Sequence, residues 1–377
     1  MRSSFFGTSF LIVSSLFFLI GGLGYRVAIV QDFGIFASAT LVFLAWIMNG
    51  YRFVTPRYFW IYMLFVVIVG WDVITRGISF DSPKFFSLIL AGGLYCLSFY
   101  MVAMSRYGEE ILQKINYYLL GLGWIFYLGY EWFKIAPVDK DKFSFGFLQS
   151  LTFEHNHLGV YWAILLSGLL LIKTRNNFYA WYKVFSILLG GYLVVISQSR
   201  SAYLLLLVAI IAFYKDKMFK KASRAIVILT AIATMLGIGL ISLYKPIRLV
   251  NFYLPAVYAL QEFPLGVSMG NFREVSAFYS YLYGSVDYVS TLTHNLFFEM
   301  TIGVGVFGFI YWVWYVLVVR ELFKYDQNYF LAVFVAISAL FMVDPGYVIP
   351  TLYWLWMAFL GMGLSGASQV DLHDLQT

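Results

Sequence analysis

The sequence predicts an all-α fold: a polytopic integral membrane protein of about twelve transmembrane helices with one large loop on its outer side. Three observations carry this expectation. Of the 377 residues, 62% are hydrophobic and only 12% are charged, which is about half the charged share of an ordinary soluble domain. The apolar residues fall in runs close to the ~20 residues that a bilayer crossing requires. The polar sequence left between the runs is too short for a separate water-soluble domain, so residues 1–377 read as one transmembrane domain with 245–294 as its large periplasmic loop.

Each run has its own boundaries. The first, 5–23, follows one basic residue, Arg2, and ends at Gly21-Gly22-Leu23-Gly24 without a small-residue cleavage signal, so it reads as a retained helix. Runs 29–48, 58–75, 85–104 and 115–134 follow, each closed by charge, proline or glycine. Next come 158–172, 178–197 and 201–214; the last is short, and its polar flanks would extend it. The remaining runs are 225–244, 295–319, 328–343 and 349–366, and no internal repeat of matching period relates them.

An even helix count puts both termini on one side. Fifteen of the 25 Lys and Arg residues fall on that side, five of them in the turn 215–224, which makes it cytoplasmic. The connections 135–157 and 245–294 then face the opposite compartment, where chemistry is expected. The net charge of +6 is largely this loop charge, so no nucleic acid partner is implied. A single cysteine, Cys96, excludes an intrachain disulfide and a four-cysteine zinc site. His155, His157, His294 and His373 are the only imidazoles.

The long outer loop is more than a linker. Residues 248–262 carry apolar side chains that would form an amphipathic segment on the membrane surface, with Pro255 kinking or breaking it. After it, Pro264-Leu265-Gly266-Val267-Ser268-Met269-Gly270 is a glycine-punctuated turn whose backbone would approach a ligand closely.

Arg200, in Gln198-Ser199-Arg200-Ser201, is pinched between two apolar runs on the outer side. A guanidinium there suits a phosphate or diphosphate, because its planar fork makes bidentate charge-assisted bonds; the competing reading is an arginine that only reaches lipid headgroups. His294, where the outer loop meets the next helix, is a candidate general base for a hydroxyl. Glu299 lies within an apolar run but five residues on, about 140° around a helix, so it is not expected to orient the imidazole. Arg248 and Arg273 would add positive charge toward an anionic leaving group. Glu154-His155-Asn156-His157 opens a helix, either capping it or contacting substrate. The i, i+2 spacing of His155 and His157, and the lysines around Asp139-Lys140-Asp141, both argue against a metal site, and no glycine-rich nucleotide loop is present.

Three segments taken together resemble the bacterial O-antigen polymerase and ligase superfamily of integral membrane glycan transferases. These are Ser199-Arg200-Ser201 opening a helix, Pro264-Leu265-Gly266-Val267 before a histidine, and His294-Asn295 followed by nine residues, Gly305, two residues and Gly308. Ser268 stands where a further glycine is common in the superfamily. The resemblance implies a metal-independent, cofactor-free inverting glycosyltransferase of the bacterial inner membrane with a periplasmic site. It implies an undecaprenyl-diphosphate-linked oligosaccharide as donor and a sugar hydroxyl as acceptor, on a lipid-linked glycan for a polymerase or on lipid A core for a ligase. By the same resemblance Arg200 and Arg248 engage the diphosphate, with Arg273 as substitute for Arg248, and His294 activates the acceptor. His155, Asn156, Arg273, Asn295 and Glu299 are the expected substrate contacts. The outer loop lacks a large basic patch for a phosphate-rich core, which inclines the reading to a polymerase acting on surface polysaccharide. A transporter or lipid-linked sugar flippase is the alternative of another class, suggested by intramembrane Asp72 and Glu299.

Overall fold

A computed structural model describes residues 9–10, 13–14, 17, 28–48, 54–76, 82–104, 155–171, 177–218, 249–283 and 292–374. Among these residues the regular structure is all helical, and no strand occurs. The helices are α1 (Ala28–Met48), α2 (Phe59–Arg76), α3 (Ser82–Met104), α4 (His155–Leu171), α5 (Asn177–Ile196) and α6 (Arg200–Met218). After them come a π-helical turn (Leu249–Tyr253), α7 (Leu254–Glu262), α8 (Phe272–Tyr283), α9 (Leu296–Val304), α10 (Phe309–Lys324), α11 (Asn328–Phe341) and α12 (Pro350–Asp374).

These bounds follow the apolar runs closely. The short run at 201–214 is part of a longer helix, α6, with Ser199 as its cap: the hydroxyl accepts the Ala202 N–H at 3.3 Å. The expected helices at 115–134 and 225–244 lie outside the described residues, as does most of 5–23. Among the described residues four stretches are long and apolar enough to cross a membrane, namely Phe59–Arg76, Ser82–Met104, Asn177–Val195 and Leu296–Lys324. The run 295–319 lies within the stretch Leu296–Lys324, which carries a local break: Gly305, at φ 63°, ends α9, and a 3-10 turn (Gly305–Gly308) leads into α10.

Two helices show their environment directly. Along α2, Trp60, Leu64, Val67, Trp71 and Ile74 recur at helical spacing and are exposed, Ile74 by 80%, while Tyr62, Phe65, Val69 and Asp72 on the other face are buried. Along α5 the exposed series is Phe178, Trp181, Phe185, Leu188 and Tyr192. Continuous outward apolar stripes of this kind are unfavourable in water and suit lipid chains.

The core sits where α3 and α12 run side by side. Gly361 lies against the Cys96 carbonyl and Gly92 against the Tyr353 ring, while Tyr100 donates to Ser368 at 3.0 Å, so the contacts advance in the same direction along both helices and the pair is parallel. Small residues permit the close backbone approach that binds helices in a bilayer. Around this pair Phe334 and Trp356 stack at 4.7 Å, and Tyr329 donates to the Ser167 carbonyl at 2.7 Å, joining α11 to α4.

The consequence for function is that one end of the bundle collects the chemistry. The C-terminal end of α2, the N-terminal ends of α4, α6 and α9, and the turn after α11 meet there through contacts described below, and Ser82 at the start of α3 donates to the Met269 carbonyl at 2.5 Å. At the opposite end Arg57, before α2, pairs with Glu321 near the end of α10 at 3.3 Å.

Candidate functional site

The site is built on the segment Thr293-His294-Asn295. Asn295 caps α9, its Oδ1 accepting the N–H groups of Phe297 and Phe298 at 3.0 and 3.1 Å. On the other side, Thr293 donates its N–H to Glu299 Oε2 at 3.0 Å, and its hydroxyl lies 2.9 Å from the same oxygen. Fixed on both flanks, His294 takes the left-handed conformation at φ 53°, a strained choice for a residue with a Cβ. Its half-buried imidazole stacks on the Phe252 ring, with centroids 4.1 Å apart and planes 20° from parallel.

A second histidine comes to the same place from far away in sequence. His157, in the first turn of α4, donates from Nε2 to Asp344 Oδ1 at 2.6 Å. Asp344 also caps the 3-10 turn Pro345–Val348 by accepting the Gly346 N–H at 3.1 Å. Burial pushes its carboxyl upward, but the His157 bond and charge, the neighbouring His294 and the Gly346 N–H outweigh it and hold the group below its ordinary value. Two ties fix this turn against His294. Tyr347 donates to Glu299 Oε2 at 3.2 Å, and Tyr253, next to Phe252, donates to the Met342 carbonyl at 3.2 Å.

Arg200 joins the same end of the bundle through its cap. Gly159, two residues after His157, packs against Ser197, Ser199 and Ala202, with only 2.8 Å between a Cβ built on Gly159 and that of Ser199. The N-termini of α4 and α6 therefore lie together, and Arg200 is exposed there.

The glycine-punctuated turn has a different role from the one expected. Its backbone approaches the protein's own chain: Val267 and Ser268 donate N–H groups to the Ile302 and Gly303 carbonyls at 3.0 and 2.9 Å, and Val306 donates to Pro264 O at 2.9 Å. Those carbonyls are left free by the end of α9, so the turn satisfies them. Ser268 takes φ 74°, which explains why glycine suits the position, and its hydroxyl donates to buried Asp72 at 2.5 Å. Arg76 pairs with Asp72 at 3.4 Å and donates to the Leu265 and Gly266 carbonyls, each at 2.9 Å. Asp72, a residue singled out for transport, is thus a latch for this turn. Pro255 does not break the amphipathic segment; it sits in the first turn of α7, after the π-helical turn.

The other expected residues divide. Glu299 is 3% exposed, and one of its oxygens accepts from Thr293 and Tyr347 on either side of the His294 turn. Asn295 is engaged as a cap. Arg273 is exposed on the first turn of α8, whose Phe272 and Val275 pack with Ala256, Ala259 and Ile302. His155 and Asn156 open α4, but their side chains lie outside the described residues, as does Arg248. Among the described residues no group of three metal-ligating side chains occurs.

Sequence reasoning missed Asp344, Tyr347, Thr293 and Phe252. Asp344-Pro345-Gly346 reads as an ordinary turn, and only the Asp-Pro start hinted at a cap. Asn251 was missed too: it is fully buried, and neither amide atom has a hydrogen-bond partner among the described residues.

Among the described residues, fold and site together define an all-helical structure with helices long and apolar enough to cross a membrane and a histidine–carboxylate cluster at one end of the bundle. Compared with known protein families and with characterised proteins, the chain matches none.

Proposed function

We propose that this protein is a membrane glycan transferase of the O-antigen polymerase and ligase type, working on the outer face of the bacterial inner membrane. The observation that carries the reading is that His294, the turn Pro264–Ser268 and Arg200, which are distant in sequence, belong to one end of the bundle.

In this reading the acceptor sugar hydroxyl gives its proton to His294 while its oxygen bonds to the anomeric carbon of the donor. The bond from that carbon to the diphosphate oxygen breaks on the opposite face, so the centre inverts. The departing polyprenyl diphosphate takes the electron pair, and guanidinium groups stabilise its charge. Arg200 supplies one; Arg248 is the proposed second and Arg273 its substitute. A diphosphate is already a good leaving group, so the residues need supply only a base and cations. The exposed apolar stripes on α2 and α5 suit a donor that reaches the site within the bilayer.

A lipid-linked glycan is the proposed acceptor. The described part of the outer loop carries Arg273 against Glu262 and Glu274, which offers little attraction to a phosphate-rich lipid A core. Purified protein given lipid-linked oligosaccharide should lengthen the glycan with inversion, and transfer to lipid A core would show a ligase instead. Arg200→Ala and His294→Ala should each lower turnover at least about a hundredfold, the usual scale for losing a transition-state contact. Full activity in both variants, or retention at the new linkage, defeats the mechanism.

A further inference from the structure

Resting on that reading, we propose that His157 and Asp344 are positioning residues for His294: both imidazoles use one carboxylate, and the charge state of His157 sets the basicity of His294.

The geometry comes first. Asp344 receives His157 Nε2–H at 2.6 Å and the Gly346 N–H at 3.1 Å. It is held beside His294 from two directions. Tyr347, three residues on, reaches the Glu299 that grips Thr293. Tyr253, immediately before Leu254, reaches Met342, and its neighbour Phe252 stacks on His294. The carboxylate that His157 binds therefore belongs to the turn packed beside His294, although α4 and α9 are distant in sequence.

A general base becomes a cation as it works, and a nearby carboxylate stabilises that cation. Asp344 is anionic at neutral pH and acts on His294 in full while His157 is neutral. When His157 gains a proton it neutralises Asp344 and repels an imidazolium at His294. The two histidines compete for one negative charge, a coupled titration. Among the described residues, the other ionisable groups around the pair are Glu299 and Tyr347, which bond each other, Tyr253, engaged at Met342, and Arg200 at the start of α6.

The test reads His294 directly. Diethyl pyrocarbonate acylates neutral imidazole, so its rate at His294 against pH, followed by mass spectrometry on the full-length protein in detergent, gives the titration midpoint without any glycan assay. Asp344→Asn keeps an oxygen for the Gly346 N–H and should lower the midpoint by about one pH unit, the lower end of the effect of a neighbouring charge. His157→Gln keeps a donor for Asp344 but cannot charge, and should raise the midpoint. In glycan transfer, Asp344→Asn should move the acid limb of kcat/KM to lower pH, which a merely structural role would not do. An unmoved midpoint in Asp344→Asn, with elution as a folded species, overturns the proposal even if transfer activity stands. A moved midpoint in a protein that transfers no glycan upholds the pairing and rejects the transferase reading.

Discussion

Gly266 and Gly305 lie back to back: a Cβ on Gly266 would meet the Gly303 carbonyl and Gly305 N, and one on Gly305 would meet the carbonyl of Pro264 and Gly266 N. Both have positive φ, 83° and 63°. The Pro264–Ser268 turn and the break between α9 and α10 are therefore one backbone unit, fixed at the end of the helix that begins beside His294.

Alanine at either glycine meets both a clash and an unfavourable backbone region, so each should destabilise by about 1–3 kcal/mol or more. Thermal unfolding in detergent measures this. Gly191, with open space around its Cβ position, is the control, and Gly191→Ala should leave the transition nearly where it is.

Glu299 collects the Thr293 N–H and the Tyr347 hydroxyl in a buried setting. Glu299→Ala leaves these donors unsatisfied, at about 1–3 kcal/mol each. Glu299→Gln retains an oxygen for them and should keep most of the stability. If Glu299 instead contacted substrate, Gln would cost activity as heavily as Ala while both variants remained as stable as the parent.

Asp344 titrates below its ordinary value, and the sign of its contribution follows. A carboxyl depressed by folding stabilises the native state above its unfolded value and loses that contribution as pH falls through the folded one. The carboxylate's stabilising effect, read as the difference between the parent and Asp344→Asn, should therefore shrink as pH falls below about 4. A difference that grows on acidification reverses the assignment.

Asn251 is buried in the π-helical turn beside Phe252 with its amide unpaired among the described residues. Such turns often mark functional positions. Asn251→Leu removes an unsatisfied polar group and should raise the unfolding temperature or leave it unchanged, while turnover falls. A variant that is more stable and equally active shows the amide to be idle.

The sequence alone determined the helices that residues 28–104, 155–218 and 296–374 contain, because an apolar run of bilayer length has few other stable states when every backbone group must bond within its own segment. It also picked out His294, Arg200 and the paired glycine motifs, since charge beside apolar runs and glycine in a loop stand out against composition. It could not pair them. The His157–Asp344 bond spans 187 residues, and the union of the Pro264 turn with the end of α9 depends on carbonyls freed where Gly305 stops the helix. These are choices made by packing, by which helix ends come together and which orphaned donors and acceptors then find each other, so only the tertiary structure decided them.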